Sequence, residues 1–265
     1  MFLVEIGKAF RRLRTYVLGT GLLLIAVLPT IVLAATGHSG SGGPPFLNDV
    51  RSNGLYGALA ALAVAQPFFL ALGTSLLAGE TIAAEAAGGT LRYVLIRPVG
   101  RARLVLQKYA SVVALLLMAV VWVAVAGLLA GWIAFGIGPM ATLSGTTLAV
   151  GPALLRILAA TAYVLIELGG LAAVGVFFST LTDSSIGAAG IAFSIAILSQ
   201  ILDGITLLHA IHPYLPTHDW LAFSDLFRSP VLWTGIVHGL EVTAAYSAIF
   251  LGAALARFER KDVTS

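Results

Sequence analysis

Between Gly79 and Leu104 the chain reads GETIAAEAAGGTLRYVLIRPVGRARL, which holds two carboxylates, four arginines, a Gly-Gly pair and a proline. On either side stand two of the most apolar runs in the chain, Leu55–Ala78 and Tyr109–Ile137. A helix needs ~20 largely apolar residues to cross ~30 Å of hydrocarbon. A charged, turn-forming segment held between two such runs therefore has the form of a loop joining two membrane-crossing helices.

Four further runs of that kind lie outward from this loop: Val17–Ala35, Leu154–Phe178, Ile186–Leu208 and Val231–Ala256. Six spans are thus expected, and none alternates with period two as a barrel strand would. Of 265 residues, 59% are hydrophobic and 10% charged, and the mean hydropathy is +0.99. Soluble domains carry ~25% charged residues. The fold expected is an all-α integral membrane protein, a single transmembrane domain over residues 1–265 with no soluble domain and no internal repeat. The chain has no cysteine, which excludes a disulfide framework, a thiolate metal site and a cysteine nucleophile.

Lysine and arginine concentrate on the cytoplasmic side of short loops. Lys8, Arg11, Arg12 and Arg14 precede span one; Arg92, Arg97, Arg101, Arg103 and Lys108 lie between spans two and three; Arg257, Arg260 and Lys261 follow span six. That is twelve of the fifteen basic residues, leaving Arg51, Arg156 and Arg228 for the opposite side. Both termini are therefore expected in the cytoplasm of a multi-pass plasma-membrane protein, as an even span count also requires.

The first residues, MFLVEIGKAFRRLRTY, place Phe2, Leu3, Ile6, Phe10 and Leu13 on one stripe, with Lys8, Arg11, Arg12 and Arg14 off it. Such a pattern predicts an amphipathic helix over residues 1–16, lying in the interface against membrane lipid. The outer segment from Gly37 to Gly54 is rich in Gly, Ser and Pro, as a mobile loop is. The one from His209 to Pro230 mixes aromatics, prolines and aliphatics, and is expected at the outer interface or dipping into it as a reentrant-like segment.

Within the central loop, Glu80 and Glu85 follow span two and Gly88-Gly89 break the helix. Thr90 can cap a new short helix, LRYVLIR, in which Leu91, Val94 and Leu95 share one face, and Pro98 stops it. An apolar face on a cytoplasmic helix needs a partner. The string formed by Glu85, Gly89, Thr90, Leu91, Leu95, Arg97, Pro98, Val99 and Arg101 resembles the first cytoplasmic loop of ABC-2 type transporter permeases. The six spans, the basic in-plane helix and the aromatic segment before span six are similar to that family as well, over essentially the whole chain at low resolution. The resemblance implies a coupling helix seated in a groove of a separate ABC ATPase, with Leu91, Val94 and Leu95 filling the groove. It implies polar contacts from Arg92, Arg97 and Arg101, with Glu80 and Glu85 in the same hairpin. It also implies a second permease subunit, the same chain or a different one, and outward transport of a hydrophobic drug, lipid or peptide.

ATP and Mg2+ then belong to the partner. The only Gly-Lys pair, Gly7-Lys8, is followed by Ala9 and lacks the Gly-rich turn and Ser/Thr of a phosphate-binding loop. No enzymatic activity, no cofactor and no nucleic-acid partner are expected of this chain itself.

Charged groups inside spans are functional candidates, because a carboxylate at mid-membrane costs ~2.5 kcal/mol or more. Glu167 lies near the centre of span four, Gln200 and Asp203 toward the end of span five, and Thr234, His238 and Glu241 share a face of span six by spacing. Glu167, Asp203, Thr234, His238 and Glu241 can line a translocation path; equally, they can lock helices by hydrogen bonds. Glu167, His238 and Glu241 as a proton or cation relay define the alternative function, an ion-coupled transporter without an ATPase. The small residues at Gly169-Gly170 and from Gly187 to Gly190 are expected to serve close helix packing.

Two enzyme-like motifs carry less. Gly37-His38-Ser39-Gly40 matches the GxSG of rhomboid proteases, but Ser39 sits in a glycine-rich outer loop rather than at the start of a buried helix. His209, His212 and His218 with Asp219 can be cast as metal ligands, but loop histidines are usually interfacial, and the expectation is no metal site and no catalytic residue.

Overall fold

Hydrocarbon offers no partner to a free N–H or C=O, so these apolar runs satisfy their backbones internally as helices. The computed structural model describes residues 13–36, 50–87 and 100–260. Its helices are α1 (Leu13–Thr36), α2 (Tyr56–Ala65), α3 (Ala71–Ala87), α4 (Arg101–Phe135), α5 (Val150–Leu181), α6 (Ser185–Asp203) and α7 (Thr234–Arg260). A π-helical turn, Gln66–Leu70, joins α2 and α3 into one rod. Five stretches are long and apolar enough to cross a membrane: Tyr56–Ala84, Ala102–Phe135, Val150–Leu181, Ser185–Asp203 and Thr234–Phe258. This is an all-α membrane protein. In α1 the apolar stretch Gly19–Ala35 is 17 residues, shorter than the others; at 1.5 Å per residue it reaches ~26 Å, the low end of what a span requires.

The expected boundaries shift for identifiable reasons. Leu13 to Tyr16, assigned by spacing to the in-plane segment, continue α1 as one helix, while residues 1–12 lie outside the described residues. The rod through α3 runs on to Ala87, past the expected limit at Ala78, because ETIAAEAA is made of good helix formers. Helix α6 ends at Asp203 instead of Leu208: Gly204 caps it and Ile205 turns to extended backbone. The predicted coupling helix from Leu91 to Arg97 falls in residues 88–99, outside the described residues.

Connections at one end of the bundle are bonded into a cap. It consists of residues 50–55, a hairpin with β1 (Met140–Ala141) antiparallel to β2 (Thr147–Leu148), and residues 204–233. Gly54 N donates to Gly136 O at 2.9 Å and Asn53 Nδ2 to Gly138 O at 2.6 Å. The Tyr56 hydroxyl donates to Ala141 O. Leu143 N donates to Phe227 O at 2.9 Å, and Arg156 Nη1 to the carbonyls of Leu226 and Arg228 at 2.8 and 2.9 Å. Gly145, with φ +81°, closes the hairpin turn in a conformation that disfavours a side chain. The last stretch of the cap is not a surface loop: Trp220, Phe223, Leu226 and Phe227 are buried and pack against α5 and α7. By alternation of helix direction, the turn between α5 and α6 and the two ends of residues 88–99 lie at the other end.

Two seams hold neighbouring helices at close range. At α2 and α4, a Cβ on Gly57 would strike Gly127 O, one on Gly127 would strike Ala61, and one on Gly131 would strike Gly54 O. At α3 and α5, the buried Ser179 Oγ accepts from Ile82 N and Ala83 N and donates to Gly79 O, each at 2.9 Å, so α5 inserts a side chain into the α3 ladder. The glycines singled out by sequence share this work unevenly. Gly170 abuts Thr243 and Gly169 receives the Tyr109 hydroxyl, but no described atom outside their own turn approaches Gly187 or Gly190; Ala189 instead meets Gly79.

Candidate functional site

The cap meets the middle of the bundle where α5 faces α7. Midway along α5 stands Glu167, only 3% exposed. Its Oε2 accepts a hydrogen bond from Thr243 Oγ1 at 2.6 Å, and its Oε1 has no hydrogen-bond partner among the described residues. One turn back on α5, the Tyr163 hydroxyl donates to Asp219 O of the cap at 2.8 Å. Asp219 Oδ2 in turn lies 2.6 Å from Nδ1 of His238 on α7. Two helices and the cap thus converge on one polar cluster.

Gly239 makes that convergence possible. A Cβ there would run into the Tyr163 hydroxyl, lie 2.8 Å from Asp219 Cβ and 3.1 Å from Glu167 Oε1. A helical glycine normally costs ~1 kcal/mol relative to alanine; here it admits three polar side chains against the backbone of α7. Beside the cluster is a cavity of about 10 Å³, lined by Glu167, Thr217, Trp220, Thr243 and Tyr246 among others. That is room for about one water. Trp220 Nε1, buried, also has no partner among the described residues. The cavity wall is mostly apolar, and two of its lining residues, Glu167 and Trp220, each carry one such buried polar atom.

The expected path residues are not all brought to this place. Glu167 and His238 belong to the cluster; Thr234 and Glu241 are exposed on the opposite side of α7, which turns Ile236, Gly239 and Thr243 inward. Asp203 sits at the end of α6 in a second cluster with His218, its Oδ1 2.5 Å from His218 Nδ1, and His212 Nδ1 3.8 Å from the same oxygen. Asp219, grouped by sequence with these histidines, pairs with His238 instead, and His209 is in neither cluster. Gln200 Nε2 bonds Pro67 O at 2.9 Å, a carbonyl released by the π turn. Glu80 is half-buried on α3; Glu85 and Arg101 lie within α3 and α4; Gly89, Thr90, Leu91, Arg92, Val94, Leu95, Arg97 and Pro98 fall outside the described residues.

Sequence reasoning did not single out Tyr163, Thr243 or Trp220, nor Gln66, which is fully buried at the π turn with neither amide atom partnered among the described residues. Two signals were there to find. Gly239 interrupts a helix between His238 and Thr243, and Gln66-Pro67 interrupts the longest apolar stretch of span two.

Fold and site together define an all-α, membrane-embedded protein with a polar cluster at mid-bundle. A family model described as Protein of unknown function (DUF2705) matches residues 23–264, and the chain belongs to that family. The comparison with curated proteins gives no match.

Proposed function

We propose that the chain is the six-span permease subunit of an ATP-driven exporter, powered by a separate ATPase docked on the loop around residues 80–103. The observation that carries this reading is the loop string from Glu85 to Arg101, with its short apolar face and its resemblance to the ABC-2 coupling loop. The basic residues favour a loop and both termini in the cytoplasm.

The packing supplies a route for a push on that loop. Its ends are α3 and α4, and the Ser179 insertion clasps α3 to α5, the helix of Glu167. Displacement of the loop on ATP binding would thus move α5, and with it the part of the cap that Arg156 and Tyr163 tie to α5, changing the space around Glu167 through which substrate passes. A second permease subunit fits the uncovered side of α7, where Ala244, Ala248, Gly252 and Ala256 recur every fourth residue beside the exposed Glu241. An ionisable group on a lipid-facing surface is costly, and a protein neighbour relieves that cost.

The test is a pull-down of the detergent-solubilised chain from its native membrane. An ATPase recovered in stoichiometric amount, and lost on Leu95→Asp while membrane insertion persists, is the expected result; loss of insertion would reduce the loop to a folding role. A chain that purifies without a nucleotide-binding partner would favour the second reading, an ion- or proton-coupled transporter. The observation behind that reading is the half-paired, buried Glu167 with the Tyr163–Asp219–His238 chain beside it.

A further inference from the structure

At the cap end of α6, away from the Glu167 cluster, three metal-ligating side chains meet. One ligand atom from each of Asp203, His212 and His218 lies within 4.8 Å of the others. We propose that these three residues form a binding site for a divalent transition metal of the Zn2+ class.

The tautomer of His212 carries the argument. Its Nε2 lies 3.2 Å from Ile205 O, and a carbonyl can only accept, so Nε2 bears a proton and donates it. In the neutral ring, Nδ1 then presents a lone pair, and it lies 3.8 Å from Asp203 Oδ1. Two acceptors at that separation are bridged favourably by a cation that both can ligate. A backbone carbonyl that takes the far N–H of an imidazole is also the arrangement by which metal-bound histidines are oriented.

His218 completes the set from the other side, with Nδ1 2.5 Å from the same carboxylate oxygen. A metal with bonds of ~2.0–2.2 Å in tetrahedral geometry sets its ligand atoms ~3.3 Å apart. The Asp203–His218 separation must open and the Asp203–His212 one close, each by under about 1 Å, and the two imidazole nitrogens, within 4.8 Å of each other, close by up to about 1.5 Å. All three side chains are partly exposed, at 30%, 15% and 35%, so an ion can reach them from solvent. Two imidazoles and one carboxylate suit Zn2+ and its borderline neighbours better than Mg2+ or Ca2+, which prefer oxygen, and three protein ligands leave a fourth position open.

The framework is stiffened in advance. Pro213 follows His212 and Pro216 precedes Thr217-His218, fixing φ on both sides of the turn. Thr217 Oγ1 lies 2.6 Å from Ser199 Oγ, one turn before Asp203 on α6, which holds the two ligand-bearing stretches together.

The site stands independently of the exporter proposal, and its test does not need transport. The full chain, purified in detergent with a tag free of histidine and stripped with a chelator, is titrated with Zn2+ by calorimetry, and its metal content is measured after gel filtration. The expected result is one Zn2+ per chain, affinity lowered at least ~10-fold in each of Asp203→Asn, His212→Gln and His218→Gln, and no change in His209→Ala or in excess Mg2+. Co2+ in place of Zn2+ should give the visible absorption of a four-coordinate ion, lost in the same variants. These conservative replacements retain size, and elution with wild-type volume checks their fold. Absence of saturable Zn2+ binding to the wild type would overturn the proposal, as would equal affinity in the His209→Ala and His218→Gln proteins.

Discussion

The α2–α4 seam and the α5–α7 seam bring helices together by opposite means. In the first, glycines at 54, 57, 127 and 131 meet backbone to backbone, with only the Ala61 methyl against Gly127. In the second, one glycine, Gly239, makes room for Tyr163, Asp219 and Glu167, and polar groups occupy the contact. Without a hydrophobic drive between helices in lipid, the first draws its strength from close van der Waals contact. It has two ways to be, packed or separated. The second holds polar groups at mid-bundle, among them a Glu167 oxygen with no partner among the described residues, which a water or a turned side chain can satisfy. The contrast separates scaffold from site: the α2–α4 seam resists change, whereas the α5–α7 seam can rearrange.

The largest expected effect is at the scaffold seam. Gly131→Leu would drive a side chain into the backbone at Gly54, which no rotamer relieves, and should cost about 3 kcal/mol or more. Loss of a monodisperse, heat-stable protein in detergent is the readout. Gly190→Ala, at a position with no neighbour, should leave the melting temperature unchanged or slightly raised. Equal tolerance at the two positions would break the assignment of the α2–α4 seam as the rigid one.

Gly239→Ala comes next, at about 1–3 kcal/mol, because the atoms its Cβ meets belong to side chains that can turn aside. Adding Tyr163→Phe should recover part of that loss by removing the hydroxyl, measurable as a coupling energy in a double-mutant cycle. Additive losses would mean that α7 is displaced as a whole and that the cluster is not the point of contact.

Glu167→Gln should have the smallest effect on stability and the sharpest on function. The amide oxygen keeps the Thr243 bond, and such bonds average ~0.6 kcal/mol in membranes, so melting should move little. Transport in vesicles should fall, because the substitution removes the ionisable group at mid-bundle. Undiminished transport by a normally stable variant would make Glu167 interhelical glue and move the path elsewhere.

The membrane-crossing helices as a class and the charge asymmetry of the connections were legible in the sequence because they follow from hydropathy and length, properties that each run carries alone; the first of the six expected runs gives a helix whose apolar stretch is only 17 residues. Glu167 was legible too, as a residue out of place. Its partner was not. Spacing grouped Thr234, His238 and Glu241 on one face, which is correct geometry for an isolated helix, yet periodicity has no term for which face turns inward. The rotation of α7 is set by Gly239 and Thr243 packing on α5, so Thr243 meets Glu167 and Glu241 does not. The cap was equally hidden: its bonds join residues about 70 to 85 positions apart, as from Arg156 to Leu226 and from Asn53 to Gly138.

By itself, the sequence determined that this protein is built of apolar helices of membrane-crossing length and that its basic residues fall on alternate connections between them. Those are consequences of local composition acting on a solvent of known thickness. Only the tertiary structure decided which polar residues share a site. It sent Asp219 to His238 rather than to the loop histidines, gathered Asp203, His212 and His218 into one cluster, and left Glu241 facing outward. The physical reason is that helix rotation and the fold of the cap are fixed by contacts between distant segments, chiefly glycines that admit a neighbour and hydroxyls that satisfy a carbonyl, and no single run encodes its partner.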